Sequence, residues 1–367
     1  MAGSGIGTIY RMTSWGETHG KGVGVVVDGC PAGIELTEDH IQGYLDRRRP
    51  GQSRYTTKRN ESDQVEILSG VFEGRTTGSP ISLLVFNKDQ RSRDYSAIKD
   101  LYRPGHADYT FDRKYGFRDY RGGGRSSGRE TIARVAGGAI AARALAQLGI
   151  EVFAYTRSIG PCAIDEARFD PGERDRNALY MPDPEAAARA AAFLEEKMSQ
   201  EDSSGGVVEC RISGLPAGVG EPVFDKLSAC LGKAILSIGA VKGFEIGDGF
   251  AAARSVGSVN NDAFCRKEGR TVKVTNHAGG ILGGLSDGSE ILFRAAFKPT
   301  PSIAKRQSTV TRQGQETDLF IKGRHDPVIV PRAVVVVETM AAATVFDLLL
   351  QNMTSRMDRI IEFYQDR

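Results

Sequence analysis

Cysteine is scarce in this chain and irregularly spaced. The 367 residues contain five cysteines, none of them in a Cys-x-x-Cys pair: Cys30, Cys162, Cys210, Cys230 and Cys265. An odd number of widely separated cysteines argues against both a disulfide framework and a zinc site. We therefore expect buried, reduced thiols and no metal centre.

A membrane-spanning apolar run and a secretory signal are also missing. The longest apolar stretch, near the C-terminus, is broken by Glu338 and Asp347. The first residues lack the basic start, apolar middle and small-residue cleavage site of a signal peptide. With 40% hydrophobic residues, the composition is typical of a globular protein. We expect a cytoplasmic protein with no membrane partner.

A strong net charge is missing as well, because 48 basic and 46 acidic residues leave a formal charge of +2. The positive charge is local instead: residues 45–59 carry six basic side chains and one acidic one. A long phosphate backbone is held by many dispersed contacts, so this patch favours a small, multiply charged anion. The alternative from another class is a nucleic-acid-binding protein that uses its arginine-rich loops.

The common nucleotide-binding signatures are weak. Gly3, Gly5 and Gly7 do not follow a strand pattern, and neither Gly-Lys pair, at 20–21 or 232–233, is followed by Ser or Thr. Rossmann and Walker sites are therefore disfavoured. A nucleotide-like cofactor would need a site of another kind.

Three pairs of motifs recur in the same order along the chain. They are residues 25–36 with 209–222, residues 69–81 with 279–291, and Gly124-Arg125 with Gly323-Arg324. The preserved order predicts an internal duplication, with similar halves of about 1–200 and 201–350, a tail at 351–367 and a site between the halves. We expect one catalytic unit to span the whole chain.

Short strand patterns alternate irregularly with helical ones. Strands are predicted at residues 23–29, 82–88, 207–212 and 291–299, and helices at 37–48 and 183–198. This irregular order favours an α+β sandwich over a doubly wound parallel sheet.

Residues 118–130 place four arginines and four glycines directly before an alanine-rich helical pattern. Ser127 and Glu130 have capping-box spacing, which predicts a helix start. Free amides, close backbone and guanidinium groups at such a start suit a small anion. A capped helix that binds no ligand remains an alternative interpretation of this segment. An RNA-binding Gly-Arg segment is less favoured, because such segments are long and repetitive.

Two further loops carry candidate chemistry. His19 and His106 both lie in glycine-flanked loops, where a general acid and an ordinary exposed histidine are about equally well supported. Pro50-Gly51 interrupts the basic segment, so that the two sides can turn toward one phosphate or carboxylate. A solvated helix end is the alternative.

Six segments together resemble the chorismate synthase family. They are GETHG, DRRRPGQSRYTTKR, YRPGHADYT, YRGGGRSSGRE, NHAGGILGG and KGRHDP, in the family's order between about residues 5 and 350. The resemblance implies a β-α-β sandwich, with a helical layer between antiparallel sheets, assembled as a homotetramer. It also implies the last step of the shikimate pathway, the trans 1,4-elimination of phosphate from 5-enolpyruvylshikimate 3-phosphate to give chorismate.

The resemblance further implies that reduced FMN serves as an electron-donating cofactor, reduced by NADPH or by a separate flavin reductase. His19 resembles the acid for the departing phosphate, His106 the residue that protonates the flavin, and Asp326 the carboxylate that assists proton removal at flavin N5. The FMN-binding positions implied are Arg125, Ser126, Ser127, Gly239, Ala240, Gly283, Lys298, Pro299, Thr300, Pro301, Ser302 and Arg324.

Two arginines and one threonine complete the resemblance. Arg48 and Arg54 match positions assigned to a nicotinamide nucleotide or to substrate anions, and from charge we favour the substrate. Thr18 stands where many members have serine. Because threonine keeps the hydroxyl and adds a methyl group, we expect this difference to be tolerated.

Overall fold

A computed structural model describes residues 3–57, 61–88, 99–321 and 326–365. Within these residues, two five-stranded sheets, antiparallel throughout, enclose the long helices. Helices pack on the inner face of each sheet and against one another across the middle. The predicted α+β sandwich, with its helical layer between antiparallel sheets, is confirmed.

The first sheet and its satellite hairpin come from the first part of the chain. Their strands are β1 (Gly5–Ile6), β2 (Arg11–Gly16), β3 (Gly22–Asp28), β4 (Val65–Ile67), β5 (Val71–Phe72), β6 (Arg75–Thr76) and β7 (Ile81–Phe86). The order in the sheet is β1-β2-β3-β7-β4, and β5 pairs with β6. Strand β3 supplies Val23, Val25 and Val27 to the core, where they are almost wholly buried.

The second sheet and its hairpins follow. Their strands are β8 (Glu151–Ile159), β9 (Cys162–Ala163), β10 (Gly206–Ser213), β11 (Val241–Ile246), β12 (Phe264–Lys267), β13 (Arg270–Lys273), β14 (Ile281–Leu282), β15 (Leu285–Ser286), β16 (Ile291–Phe297), β17 (Arg306–Val310) and β18 (Glu316–Phe320). The sheet order is β11-β16-β10-β8-β9.

The helices connect these strands and fill the space between the sheets. They are α1 (Glu38–Arg48), α2 (Asp108–Tyr115), α3 (Thr131–Gln147), α4 (Pro184–Ser199), α5 (Leu227–Leu236), α6 (Gly257–Asn260), α7 (Val330–Asn352) and α8 (Met357–Gln365). The predicted cap of α4 is present, since the Asp183 side chain accepts hydrogen bonds from the amides of Glu185 and Ala186. Each predicted strand and helix is found near its predicted position.

The two sheets repeat one topology. The order β2-β3-β7-β4 corresponds to β8-β10-β16-β11, with hairpin β5–β6 answered by β14–β15, and each unit ends in a long helix, α3 or α7. This correspondence supports the predicted internal duplication. The second sheet takes its strand β8 from residue 151 onward, within the residues that the predicted division near 200 assigned to the first half.

Helix α7 is the central helix of the core. By length and composition it is the one helix in the described part of the chain that could cross a membrane, but 89% of its most apolar window is buried inside the protein. The two acidic residues that interrupt it are also paired. Glu338 accepts from Arg47 at 2.6 Å, and Asp347 accepts the backbone amides of Ile9 and Tyr10 at 2.7 and 2.9 Å.

The cysteines are free thiols, as expected, but they are not all buried. Cys30 and Cys210 are buried, whereas Cys265 is exposed. Cys265 lies on the β12–β13 hairpin, and every residue of β12 is exposed. The expectation of uniformly buried thiols was therefore wrong at this hairpin.

Helices α3 and α7 approach closely at a glycine. A Cβ atom on Gly138 of α3 would lie 2.3 Å from the backbone oxygen of Thr339 in α7. Backbone cannot move aside as a flexible side chain can, so the two helices would have to separate. A glycine is required here by the distance between the helices.

We predict that Gly138→Ala destabilises the protein by about 1–3 kcal/mol, the usual cost of overpacking a core. Gly43→Ala is the matched control, because Gly43 lies on an exposed face of α1 with nothing within 4 Å of the added Cβ. The control should gain about 0.5–1 kcal/mol from higher helix propensity. Thermal or urea unfolding of both variants checks this, and equal effects of the two would contradict it.

Candidate active site

A cavity of about 590 Å³ opens between the two halves of the chain. This volume is within the range of ligand pockets, roughly 300–1,000 Å³. The lining residues of the first half are found at 18–19, 48, 50, 57, 61, 103, 105–107, 123 and 126–131, and those of the second half at 238–240, 242, 297–298, 300–302, 326, 329, 332–333 and 336. The cavity therefore has the position that the duplication predicted for a site.

His106 lines the cavity just before α2, and its ring is held by Asp108. The Nδ1 atom lies 3.0 Å from Asp108 Oδ1 and also 3.0 Å from Arg103 Nη2. Arg103 Nη2 can only donate, and it has other acceptors in Asp108 Oδ1 at 2.7 Å and Gly122 O at 3.2 Å. The His106 Nδ1–H is therefore assigned as donating to the Asp108 carboxylate. The Nε2 atom of His106 is then left for a ligand.

Asp108 is the charged centre of this cluster. Burial by itself would raise the pKa of Asp108, but hydrogen bonds and charges from Arg103 and His106 outweigh burial and hold the pKa well below its usual range. Arg118 Nη1 adds a further ion pair at 2.8 Å. Asp108 is therefore an anion that orients His106. The sequence reasoning missed it, although it lies two residues after His106.

His19 lines the cavity beside Thr18. Thr18 is 7% exposed, and its Oγ1 has no hydrogen-bond partner among the described residues. Thr300 Oγ1, on the second half of the wall, is likewise buried without one. Buried hydroxyls are normally paired, so these two suit a polar ligand in the cavity.

Arg48 is wholly buried in the cavity wall at the end of α1. Its Nη1 lies 2.6 Å from Asp63 Oδ2, and its Nε donates to Thr131 Oγ1 at 3.0 Å. Burial lowers the pKa of Arg48, Asp63 opposes the shift, and Arg332 and Arg129 add to it, leaving a pKa of about 10. Arg48 is still a cation at neutral pH.

Two more arginines of the wall surround Arg48. Arg129 pairs with Asp63 Oδ1 at 2.9 Å, and Arg332 pairs with Asp326 Oδ2 at 2.7 Å. The sequence reasoning counted Arg129 among the charges near α3 but did not single out Arg332. Arg332 has no motif of its own, and only the start of α7 brings it to the cavity.

Asp326, predicted as a catalytic carboxylate, also lines the cavity. Its Oδ1 accepts the backbone N–H of Thr57 at 2.8 Å, while its Oδ2 accepts from Arg332. It therefore joins the end of the basic segment to α7. Arg324, predicted to bind FMN, lies outside the described residues.

Comparison with known proteins shows the family to which this chain belongs. The sequence model described as "Chorismate synthase" matches residues 10–350. The chain belongs to the chorismate synthase family. Curated chorismate synthases of Lachnospira eligens and Agathobacter rectalis are 64% and 63% identical over 365 residues, each covering 100% of both chains.

A solved structure agrees with this assignment. A crystal structure titled as chorismate synthase superposes with a TM-score of 0.77 and 31% sequence identity, covering 98% of each chain. The family recognised from the sequence motifs is thus confirmed, and the chain is an enzyme of the lyase class.

The cavity of this chorismate synthase family member gathers most, but not all, of the predicted cofactor positions. Those that line it are Ser126, Ser127, Gly239, Ala240, Lys298, Thr300, Pro301 and Ser302. Arg125 instead donates to Gly16 O at 3.0 Å and to Ser14 Oγ at 2.7 Å. Pro299 and Gly283 are not among the lining residues, and Gly283 lies in the β14–β15 turn.

Lys298 and Ala240 form the second half's rim. Ala240 has φ 73°, unusual for a residue other than glycine, and its carbonyl accepts the N–H of Lys298 at 3.0 Å. Lys298 Nζ donates to Gly105 O at 2.5 Å, across to the first half. Burial, with a smaller contribution from Lys242, lowers the pKa of Lys298.

The predicted capping box at the entrance of α3 is not formed. Ser127 Oγ accepts from the Arg129 amide at 3.3 Å, and Glu130 pairs with Arg134 at 2.9 Å rather than reaching back to Ser127. Two short 3₁₀ turns precede α3 and tighten this entry. The glycine- and arginine-rich segment is thus an ordered wall of the cavity.

Arg54 takes a different direction from Arg48. Its side chain is 68% exposed and is paired with Glu195 outside the cavity. The predicted convergence of Arg48 and Arg54 on one ligand is not observed within this chain. The break at Pro50-Gly51 turns the second arginine outward.

We predict that Asp108→Asn costs about 3 kcal/mol at neutral pH, because it leaves buried cations without their counter-charge. A carboxylate with a depressed pKa stabilises the fold above roughly pH 4, and this stabilisation is lost as the pH falls through its folded value. The difference between wild type and variant should therefore be full near pH 7 and shrink at acid pH.

Thermal unfolding measured from pH 7 to pH 3 checks this. Asp318→Asn is the control, because the contacts of Asp318 with Arg306 and Ser308 Oγ are exposed and their loss should cost little at any pH. A pH-independent loss in Asp108→Asn would contradict the electrostatic explanation.

Proposed function

We propose that this chain converts 5-enolpyruvylshikimate 3-phosphate to chorismate, by trans 1,4-elimination of phosphate, in the cavity between its halves. The observation that carries the proposal is that His19, His106 and Arg48, separate in sequence, line one cavity of a chorismate synthase family member. Each of them belongs to a motif on which the resemblance rests.

The charges of the wall support a polyanionic substrate. The substrate has one phosphate and two carboxylates, and Arg48, Arg129 and Arg332 all face the same cavity. Guanidinium groups bind such anions in bidentate fashion, and a water-poor site strengthens these contacts. We assign the substrate to this side of the cavity. Arg54 is paired with Glu195 and is not among the residues that line the cavity.

The residues of the other side fit a flavin. Thr300 offers a buried hydroxyl that has no hydrogen-bond partner among the described residues, Lys298 offers a cation, and Gly239 and Ala240 offer backbone in the cavity wall. Together with Ser126, these residues would hold FMN. Bound in reduced form, FMN would supply an electron transiently, which the elimination needs because the C6 hydrogen of the substrate is not acidic.

The ionisable side chains have distinct proposed roles. His106 exchanges a proton through Nε2, because Asp108 holds its Nδ1–H. His19 acts as the acid toward the departing phosphate. Asp326, paired with Arg332, would assist removal of the proton at the flavin.

The remaining expectations from the resemblance are part of the same proposal. They are a cytoplasmic homotetramer and reduction of the flavin by NADPH or by a separate reductase. A nucleic-acid-binding function is disfavoured because Arg48 and Arg129, from the two arginine-rich segments, are buried in ion pairs around the cavity.

We predict that His106→Ala lowers kcat by about 100-fold or more, the usual contribution of a positioned acid or base. The measurement is anaerobic chorismate formation with saturating reduced FMN, repeated with FMN and NADPH to identify the source of electrons. His40→Ala is the control, since His40 is not among the residues that line the cavity and its Nδ1 lies 3.1 Å from the Thr37 amide at the start of α1. Undiminished turnover of His106→Ala would remove it from the mechanism.

We predict that Arg48→Ala mainly raises the substrate KM, by roughly tenfold or more, because it removes charged hydrogen bonds to an anion. The assay is the same anaerobic one, with substrate varied at fixed reduced FMN. A defect seen only when NADPH is the reductant would assign Arg48 to the nicotinamide nucleotide instead.

A further inference from the structure

Asp63 is a buried carboxylate that joins two arginines of the cavity. Its side chain is 0% exposed, with Oδ2 at 2.6 Å from Arg48 Nη1 and Oδ1 at 2.9 Å from Arg129 Nη1. Asp63 itself is not among the residues that line the cavity, whereas both arginines are. Asp63 therefore lies behind the two arginines, and the chemistry proposed above assigns no role to it.

The two arginines come from separate elements. Arg48 ends α1, and Arg129 lies in the turn before α3. Each also donates to a second fixed acceptor: Arg48 Nη2 donates to Gly128 O at 2.9 Å, and Arg129 Nε donates to the Asn87 side chain. With Asp63 in place, the planes of both guanidinium groups are determined.

One edge of Arg129 is left over by these contacts. Its Nη2 is buried and makes no hydrogen bond within the described residues, and the ion pair that it forms with Glu61 Oε2, at 3.6 Å, is longer than a hydrogen bond. A buried guanidinium N–H without an acceptor is unusual, and in a cavity wall it suits an anionic ligand.

We propose that Asp63 is a positioning residue, which holds Arg48 and Arg129 in the orientation that binds an anionic group of the substrate. The inference deepens the proposed function and rests on it. Asp63 acts through the arginines, without touching the substrate.

Two opposite effects would follow from removing the charge of Asp63. The cavity would become more positive, which favours anions at long range. The two arginines, however, would repel each other without a shared counter-charge, and their guanidinium groups would turn to other acceptors. Anion recognition by arginine depends on the fixed orientation of its planar group. We expect the loss of orientation to outweigh the gain in charge.

Asp63→Asn tests this with the least change of shape. Asp63 has φ 47°, a conformation that asparagine tolerates about as well as aspartate. Binding of 5-enolpyruvylshikimate 3-phosphate is measured at equilibrium, anaerobically, with oxidised FMN so that no turnover occurs. We expect Kd to rise by roughly tenfold or more, as for a lost hydrogen bond to a charged group, while kcat at saturation changes much less. A Kd equal to or below that of wild type would overturn the inference.

Glu209→Gln is the matched control. Glu209 is also 0% exposed and accepts from three arginines, Arg157 at 2.9 Å, Arg211 at 3.3 Å and Arg294 at 2.6 Å, but it lies on β10, away from the cavity. It should lose stability and keep the wild-type Kd. Failure of wild type itself to bind the substrate would refute the proposed function, which is a different result from unchanged binding in Asp63→Asn.

A double variant separates positioning from mere folding. Asp63→Asn combined with Arg129→Gln removes one charge of each sign and so keeps the net charge of the buried cluster. This variant can therefore be used if Asp63→Asn alone does not fold. Because Asp63 acts through Arg129, the double variant should lose less affinity than the product of the two single losses. Losses that multiply independently would overturn the inference. If Asp63→Asn does not fold, the double variant is compared with Arg129→Gln alone. It must bind the substrate more weakly than Arg129→Gln, because Asp63 also positions Arg48, and equal binding would overturn the inference.

Discussion

The close contact between α3 and α7 sets the geometry of the whole site. Each helix is the last element of its repeat, and each begins at the cavity, α3 at Thr131 and α7 at Val330. Because Gly138 lets the helices approach to backbone distance, their starting ends are held in a fixed relation. Helix N-termini carry partial positive charge, so the packing that stabilises the core also brings two such ends to the cavity where we propose that the anionic substrate binds.

The charges of the cavity are arranged in pairs, which explains a nearly neutral protein with a basic site. Asp63 stands behind Arg48 and Arg129, Asp326 beside Arg332, and Asp108 among Arg103, Arg118 and His106. Each carboxylate reduces the cost of burying cations and limits their movement. These pairs fix the orientation of arginines that line the cavity, so less ordering is needed when a ligand binds.

Local patterns in the sequence predicted the elements well, and the motifs predicted the family. They failed where the direction of a side chain mattered. Arg54 and Arg125 are basic residues in the right segments, yet one points to Glu195 and the other to Ser14 and Gly16. Asp63 and Arg332 were missed for the opposite reason, because neither lies in a motif. Their roles come from contacts with Arg48, which is more than ten residues from Asp63 and more than two hundred from Arg332 in the sequence.

The sequence alone determined the strand and helix patterns, the repeated order of turns and the membership of the family, because each depends on local spacing of apolar residues, glycines and charges. Only the tertiary structure decided which charges meet. Pairing of the two repeats through α3 and α7 brings residues 19, 48, 106, 129 and 332 to one cavity. No local pattern encodes that meeting, since burial and the distance between charges depend on the packing of the two halves.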